Sequence, residues 1–284
     1  MSDSLQQQQR GIVYIVTGSR KYYSELKKSV DSLLKQGYNG SIRIVAENAS
    51  HISAYRFNRQ IEIYNVPKNK ETSFSFSRKL KTQLYDYSPF AETLYLDTDT
   101  EILKPIDDIW NYLNDSNFVL ATDILETLEE VSLKGNYLID DVVKTRTVCP
   151  PDSKHFNAGV ILFRRCGETK NLFEHWTNEW SIFRDRDQLA LIRAIFHSRI
   201  KVRTLPNLYN AWYFNSQNIS EVVVYHYWQS KKPVTPLMLR VLRWIKPMVP
   251  QPIVAWHETQ YKARELRRKE ELHKTINAYV TNKD

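Results

Sequence analysis

Short apolar runs alternate with segments of helical period along the first hundred residues. "GIVYIVTG", Gly11 to Gly18, is β-branched and aromatic and stops at a glycine, which predicts a first strand. In "YSELKKSVDSLLKQGY" the apolar residues recur at helical spacing, with Ser24 as N-cap and Gly37 as the stop. "SIRIVAE" and "IEIYNVP" predict two further strands, "FSRKLKTQLYDY" a second helix and "TLYLD" a fourth strand.

The same alternation continues in the second half. "NFVLATD", "FNAGVILFR", "IKVRTLP" and "VVVYHYW" predict strands, and "LFEHWTNEWSIF" and "RDQLALIRAIFH" predict helices. Alternating strands and helices predict an α/β fold with a mostly parallel central sheet flanked by helices. Ligands of such sheets bind at the carboxyl ends of the strands, so polar residues at those ends are the candidates for function.

Charge divides the chain into three parts. The 284 residues carry a net charge of +8, and 12 Lys/Arg against 5 Asp/Glu from residue 231 onward account for +7 of it. The body is therefore nearly neutral, and the basic character belongs to the C-terminal part. We predict a polar tail (1–10), one catalytic α/β domain (11–233) and a basic C-terminal helical extension (234–284).

Composition favours a cytoplasmic protein. The N-terminus "MSDSLQQQQR" lacks the basic and apolar regions of a signal peptide, and no apolar run approaches the length of a membrane span. Two cysteines, Cys149 and Cys166, are too few for a disulfide framework or a thiolate metal site.

Two acids follow the fourth strand. In "LYLDTDT", Asp97 and Asp99 are separated by one residue, and their charges repel unless a cation lies between them. Hard divalent cations such as Mn²⁺ or Mg²⁺ bind one or two carboxylates and complete their shell with water and phosphate oxygens. The pair predicts metal-bridged binding of a diphosphate; the alternative is an ordinary acidic turn.

Cations near these acids could meet the phosphates. Arg78, Lys79 and Lys81 lie on the helix that leads to the strand, where the alternative is a solvated face. His226 ends the apolar strand "VVVYH", and Lys232 follows six residues later. An imidazole at that place could complete a metal shell, although a buried histidine is more often part of the core.

Three polar residues are candidates for contacting a sugar. Asn157 precedes Ala158-Gly159, whose small side chains would let a ligand approach the backbone. Asp187 and Gln188 open a predicted helix. The alternatives are a turn-forming asparagine and a helix cap.

Taken in order, six motifs resemble the GT-A nucleotide-sugar glycosyltransferases, in particular the glycogenin and lipopolysaccharide galactosyltransferase type. The motifs are "YIVTG", "SRKLK", "LYLDTD", "FNAGV", "RDQ" and "HYWQSKKP". They extend from about Tyr14 to Pro233, which is most of the chain. The resemblance implies the GT-A fold and metal-dependent transfer of a hexose from a nucleotide sugar, UDP-linked by preference, to a glycan or lipid-linked acceptor with retention of configuration.

The resemblance also implies three groups of site residues. The metal ligands, for Mn²⁺ or Mg²⁺, would be Asp97, Asp99 and His226. The donor-binding residues would be Thr17, Gly18, Arg78, Thr98 and Lys232, in addition to the two acids. The residues lining the donor-sugar and acceptor site would be Asn157, Asp187, Gln188 and Asp123.

Two departures from the family pattern concern the donor. Gln229 stands where the family usually has a glycine three residues after the metal histidine. The residues after the first strand, "SRKYY", lack the acidic or asparagine contacts common in close relatives.

Two other functions compete with this interpretation. "LDTDTEI" also fits the haloacid-dehalogenase phosphatases, with Asp97 as nucleophile, Asp99 as general acid and "LIDDV" (Asp140, Asp141) as the later acidic pair. Against it, that motif normally follows the first strand, whereas three strands precede it here. A nucleic-acid-binding protein is suggested by the pI of about 9.2, but the positive charge is confined to the C-terminal part. We therefore expect no nucleic-acid partner.

The basic extension begins with "TPLMLRVLRWIKPMVP", in which apolar residues are mixed with Arg and Lys. Residues 235–249 could lie on an anionic membrane as an interfacial helix, or pack on the catalytic domain. "KARELRRKEELHK" predicts a charged, exposed helix.

Overall fold

A seven-stranded sheet forms the centre of the molecule. This computed structural model describes residues 9–68, 72–212, 219–227 and 259–275, the last range without 261, 264 and 273. The sheet strands are β1 (Arg10–Val16), β2 (Ser41–Ala46), β3 (Ile61–Asn65), β4 (Glu92–Leu96), β6 (Phe118–Thr127), β7 (Lys154–Arg164) and β8 (Val202–Leu205), and β5 (Thr100–Ile102) and β9 (Val224–His226) form a separate pair. Lys232 and residues 235–249 lie outside the described residues.

Helices cover both faces of the sheet. They are α1 (Arg20–Lys35), α2 (Ser73–Thr82), α3 (Leu84–Tyr87), α4 (Leu128–Lys134), α5 (Ile139–Val148), α6 (Gly167–Phe183) and α7 (Asp187–Ser198). Short 3-10 helices comprise Ala49–Phe57, Asp107–Leu113, Asn207–Tyr209 and Ile219–Glu221.

The strand order is β3-β2-β1-β4-β7-β6-β8, and the sheet is mostly parallel, as the sequence predicts. Only β7 runs against its neighbours: it is antiparallel to β4 and to β6, whereas the other pairs are parallel. Because β7 is reversed, its first residues lie at the sheet edge where β4 and β6 end. This reversal brings the candidate residues of three strands together.

Alternation along β1 builds the two halves of the core. Ile12, Tyr14 and Val16 belong to the cluster on the α1 side, whereas Val13 and Ile15 belong to the cluster that includes α2, α6 and α7. Successive side chains of a strand point to opposite faces, so a strand covered on both faces is apolar throughout. This is why "GIVYIV" has no polar position.

Two predicted elements differ from the structure. Helix α1 begins at Arg20 with Ser19 as N-cap, not at Ser24. The reason is that Tyr23 is buried and extends the apolar face by a turn. Strand β9 pairs with β5 in the small antiparallel sheet and does not join the central one.

The described part of the C-terminal extension is helical and packs on the domain. Leu272 is buried in a cluster with residues of α4, α5 and α7. One face of the segment predicted to be an exposed helix is therefore covered. Among the described helices, none combines the length and apolar character that a membrane span requires. Both cysteines are free thiols.

Glu92, at the start of the central strand, links three strands through ion pairs. Arg10 of β1 donates from Nε to its carboxylate at 2.6 Å, and Arg164 of β7 donates from Nη2 at 2.8 Å. Burial raises the pKa of Glu92, but the two arginines outweigh it and lower the pKa below its ordinary 4.5. The ionised form therefore stabilises the fold.

Glu92→Gln should lower the free energy of unfolding by roughly 1–2 kcal/mol at pH 7, because the charge-assisted hydrogen bonds from the two arginines are weakened. A carboxylate whose pKa is lower in the folded state contributes stability above its unfolded pKa and loses it as the pH falls. The difference from wild type should shrink as the pH falls below about 4.5. Urea denaturation at several pH values measures both effects.

Glu62→Gln is the matched control, since Glu62 pairs with Arg43 but its side chain is 57% exposed. It should cost well under about 1 kcal/mol. An equal loss in both variants would contradict the role assigned to Glu92.

Candidate functional site

Three potential metal ligands converge beyond the end of β4. The ligand atoms of Asp97, Asp99 and His226 lie within 4.8 Å of one another. Nε2 of His226 is 3.2 Å from Oδ1 of Asp99 and 3.9 Å from Oδ2 of Asp97. β5 and β9 bring the histidine here, since Thr100 pairs with His226 directly after the acids. Two carboxylates and an imidazole suit Mn²⁺ or a similar divalent ion.

The orientation of His226 is determined by Asn210. Its Nδ1 donates to Oδ1 of Asn210 at 3.0 Å, so the other ring nitrogen, Nε2, faces the two acids. A hydrogen bond of this kind selects the tautomer of a metal-binding histidine. Burial lowers the pKa of His226, but Asp99 and Asp97 outweigh it and raise the pKa. Asn210 was not singled out from the sequence, since an asparagine in a loop carries no distinct signal.

Lys81 is the cation buried among the acids. Its Nζ is 2.8 Å from Oδ1 of Asp97 and 3.7 Å from Oδ2 of Asp187, and it donates to the carbonyl of Ala158 at 3.2 Å. Burial lowers the pKa of Lys81, but Asp97 and Asp187 outweigh it and raise the pKa, so the side chain is charged. The sequence offered three cations on this helix, and only the fold distinguishes the buried Lys81.

Two further contacts hold Asp97. The hydroxyl of Tyr95 donates to its Oδ1 at 2.6 Å, and its backbone N–H donates to the carbonyl of Gly159 at 2.8 Å. Burial raises the pKa of Tyr95 well above its ordinary value, and Asp97 raises it further, so the phenol keeps its proton. The sequence indicates Tyr95 only as a residue of the apolar fourth strand.

A bulge in β7 makes room for this arrangement. The pairing of β6 with β7 shifts register between Leu120, which faces Ile161, and Ala121, which faces Asn157. A Cβ at Gly159 would lie 2.3 Å from Cε1 of His226 and 2.9 Å from Oδ1 of Asn157. Only a glycine allows the backbone to pass so close to the histidine.

Three of the four predicted sugar-contacting residues, Asn157, Asp123 and Gln188, form one hydrogen-bonded network. Asn157 donates to Oδ2 of Asp123 at 3.0 Å, and Gln188 donates to the same oxygen at 2.8 Å. Oδ1 of Asn157 accepts from Asn210 at 3.0 Å, which connects this network to His226. The structure thus brings together residues from β6, β7, α7 and the loop after β8.

Tyr137 and His155 extend the network and were not identified from the sequence. The hydroxyl of Tyr137 donates to Oε1 of Gln188 at 2.6 Å and lies 3.2 Å from Nε2 of His155. Burial lowers the pKa of His155, whose Nδ1 donates to the carbonyl of Leu125 at 2.7 Å. Neither residue lies in a recognisable motif.

Arg78 and Asp187 face each other beside Lys81. Nε of Arg78 is 3.7 Å from Oδ1 of Asp187. Nε of Arg78 and Oδ2 of Asp187 are buried and have no hydrogen-bond partner among the described residues. Buried polar atoms are normally satisfied, so these two atoms are available to a ligand or water.

Two cavities meet at the acidic group. The larger, of about 450 Å³, extends from it past Asp123, Tyr137 and Gln188 to Trp212. The smaller, of about 390 Å³, extends past Tyr22 and Phe74. The residues that line both cavities are Arg78, Lys81, Asp97 and Asp99.

The remaining predicted donor residues have different positions. Thr17 and Thr98 line the smaller cavity. The backbone N–H of Gly18 donates to Oε2 of Glu47 at 2.9 Å, and its φ of 79° is a conformation that favours glycine. Gly18 therefore shapes the turn after β1 with its own N–H already bonded.

The acidic pair of the phosphatase interpretation lies elsewhere. Asp141 is buried on α5, where Arg193 donates from Nη1 to its carboxylate at 2.6 Å. Neither Asp140 nor Asp141 lines the cavities at the acidic group. The acidic pair that this alternative assigns is therefore not at the site.

The sequence matches no protein-family model, and no curated protein matches it. Its structure is similar to solved glycosyltransferases. The bifunctional enzyme WbbM aligns with a TM-score of 0.54 and 13% identity over 82% of this chain and 47% of that one. The galactosyltransferase LgtC, in complex with donor and acceptor sugar analogues, aligns with a TM-score of 0.52 and 15% identity over 90% and 95%. GlyE of Streptococcus pneumoniae TIGR4 aligns with a TM-score of 0.53 and 15% identity over 90% and 64%.

The chain thus spans about half the length of WbbM and nearly the whole of LgtC. Identities of 13–15% with these proteins are a likeness of fold. The chain has the GT-A fold of these glycosyltransferases.

Proposed function

We propose that the protein is a metal-dependent hexosyltransferase. It moves a hexose from a nucleotide diphosphate sugar, a UDP-sugar by preference, to a hydroxyl of a glycan or lipid-linked acceptor, with retention of configuration. Residues 11–233 form its catalytic domain, and residues 235–249 would either contact an anionic membrane or pack on that domain. LgtC, of the same fold, was solved with donor and acceptor sugar analogues, which supports a two-substrate site here.

The observation that carries the proposal is the position of Asp97, Asp99 and His226 at the junction of the two cavities. A nucleotide sugar has a planar base at one end, a diphosphate in its middle and a hexose at the other end. The smaller cavity, with Thr17 and Thr98, would take the nucleoside. The junction would take the diphosphate, and the larger cavity the hexose and the acceptor.

Asp97, Asp99 and His226 would hold Mn²⁺ or Mg²⁺, because carboxylate oxygens and an imidazole nitrogen match these ions. When bound, the metal would neutralise charge on the diphosphate as it leaves. Lys81 keeps Asp97 oriented, and Arg78, whose Nε has no hydrogen-bond partner among the described residues, donates to a phosphate oxygen. Lys232 is a second phosphate-binding residue.

In the larger cavity, Asn157, Asp187 and Gln188 position the hexose and the acceptor hydroxyl. Both carboxylate oxygens of Asp123 already accept hydrogen bonds, Oδ2 from Asn157 and Gln188, and Oδ1 from the N–H of Ile124. An inverting transferase needs a carboxylate free to take the acceptor proton. The engagement of Asp123 removes one candidate base, and the retaining course itself is proposed from the family resemblance.

Replacing both Asp97 and Asp99 by alanine should weaken Mn²⁺-dependent binding of UDP by on the order of 100-fold, because the divalent ion loses its carboxylates. Calorimetric titration of UDP with and without Mn²⁺ measures this. The matched control replaces Asp107 and Asp108, two exposed acids that line neither cavity, and should bind as wild type does. Wild-type protein that binds neither UDP nor other nucleotides would contradict the proposed function.

Gly159→Ala should weaken Mn²⁺ binding by about 10–100-fold, because the new methyl group displaces His226 from the acids. Titration of Mn²⁺ followed by electron paramagnetic resonance measures the affinity directly. Gly167→Ala is the control, since a Cβ there meets no atom within 4 Å. Unchanged metal affinity in Gly159→Ala would show that His226 is not a ligand.

A further inference from the structure

The segment between α4 and α5 forms one wall of the larger cavity. Lys134, Gly135, Asn136 and Tyr137 all line it. The ring of Tyr137 packs closely on the start of the segment: a Cβ at Gly135 would lie 2.5 Å from the carbonyl of Val131 and 2.9 Å from Cδ2 of Tyr137, so only a glycine fits there.

Arg268, from the C-terminal extension, connects the last turn of α4 to Tyr137. Its Nε donates to the carbonyl of Ser132 at 2.9 Å, and its Nη2 donates to the carbonyl of Tyr137 at 3.1 Å. The carbonyls in the last turn of a helix have no partner within the helix, so Arg268 satisfies one such group of α4. The rigid guanidinium sets the distance between the two carbonyls it binds.

Leu272 anchors Arg268 to the domain. Residues four apart lie on the same face of a helix, so Arg268 and Leu272 point to the same surface. Leu272 is 4% exposed and belongs to a cluster with Val131 of α4, Val142 of α5 and Leu189 of α7. Burial of this apolar side chain favours the docked position of the extension.

Tyr137 passes this restraint on to the site. Its carbonyl accepts from Arg268, while its hydroxyl donates to Oε1 of Gln188 at 2.6 Å. The amide of Gln188 is thereby oriented with its Nε2 towards Asp123 at 2.8 Å. One residue therefore connects the C-terminal extension to the amide that faces the hexose.

We propose that Arg268 is a positioning residue for sugar transfer: it fixes residues 135–137 and, through Tyr137, the orientation of Gln188. The C-terminal extension then completes the hexose and acceptor half of the site. This inference rests on the proposed transferase function. We expect the binding of the nucleotide and the metal to be unaffected by Arg268. Among the described residues, its hydrogen bonds go to Ser132 and Tyr137, and neither residue lines the smaller cavity.

The first test compares Arg268→Ala with Arg267→Ala, which removes the same charge from the neighbouring exposed position. The probe reaction is hydrolysis of UDP-glucose or UDP-galactose in Mn²⁺. Arg268→Ala should lower kcat about tenfold or more, because the misplaced amide no longer orients the hexose. The Kd of UDP with Mn²⁺ should stay within about twofold, and Arg267→Ala should match wild type. Equal kcat values in the two variants, or a parallel loss of UDP binding, would overturn the proposal.

The second test asks whether the effects of two substitutions on kcat are independent. Tyr137→Phe removes the hydroxyl and should lower kcat by a similar factor. Adding Arg268→Ala to it should then have little further effect, because both act through one hydrogen bond. Multiplying effects would overturn the proposal. Arg268→Lys keeps the charge and one hydrogen bond, and should recover part of the kcat.

A third readout separates this inference from the function on which it rests. Hydrogen exchange of the amides at 135–138 should become faster in Arg268→Ala and stay unchanged in Arg267→Ala, whether or not a sugar nucleotide is turned over. Unchanged exchange would overturn the restraint itself. If exchange is faster in Arg268→Ala but the wild-type protein binds no UDP, the restraint is supported and the transferase function is rejected.

Discussion

The mutual repulsion of Asp97 and Asp99 is the constraint on which the site depends. Both acids lie at the end of the central strand, and both side chains are half-buried. Burial raises the pKa of Asp99, but His226 and Lys81 outweigh it and lower the pKa, so the carboxylate is kept charged. A partly buried carboxylate stays charged when cations lie close to it. Lys81 supplies one from α2, and His226 supplies another from β9.

The reversed strand β7 supplies backbone contacts that hold these charged residues in place. If β7 ran parallel to β4, Asn157 and Gly159 would lie at the opposite edge of the sheet from Asp97. Reversal places them beside the acids, and the β4–β7 ladder continues past Leu96, so that the N–H of Asp97 donates to the carbonyl of Gly159. Backbone hydrogen bonds of the sheet thus hold the charged loop in place, and the loop itself needs little rigidity.

Polar contacts then continue without a break across the site. The residues connected in order by hydrogen bonds are His226, Asn210, Asn157, Asp123, Gln188, Tyr137 and Arg268. Each member of such a network orients its immediate neighbours, so a change at Tyr137 acts first on Gln188. The two halves of the site therefore share one framework, in which the metal-ligand group and the C-terminal extension are the ends.

Local pattern determined much of this protein. The period of the apolar residues predicted the strands and helices, because burial on one or two faces leaves a distinct signature, and strand ends pointed to Asp97, Asp99 and His226. Tertiary structure decided three other features. It determines which cation on α2 is buried and how β9 pairs. It also brings Tyr137 and Arg268 to the site. Those features depend on contacts between residues far apart in the chain, and such contacts leave no periodic trace in the sequence.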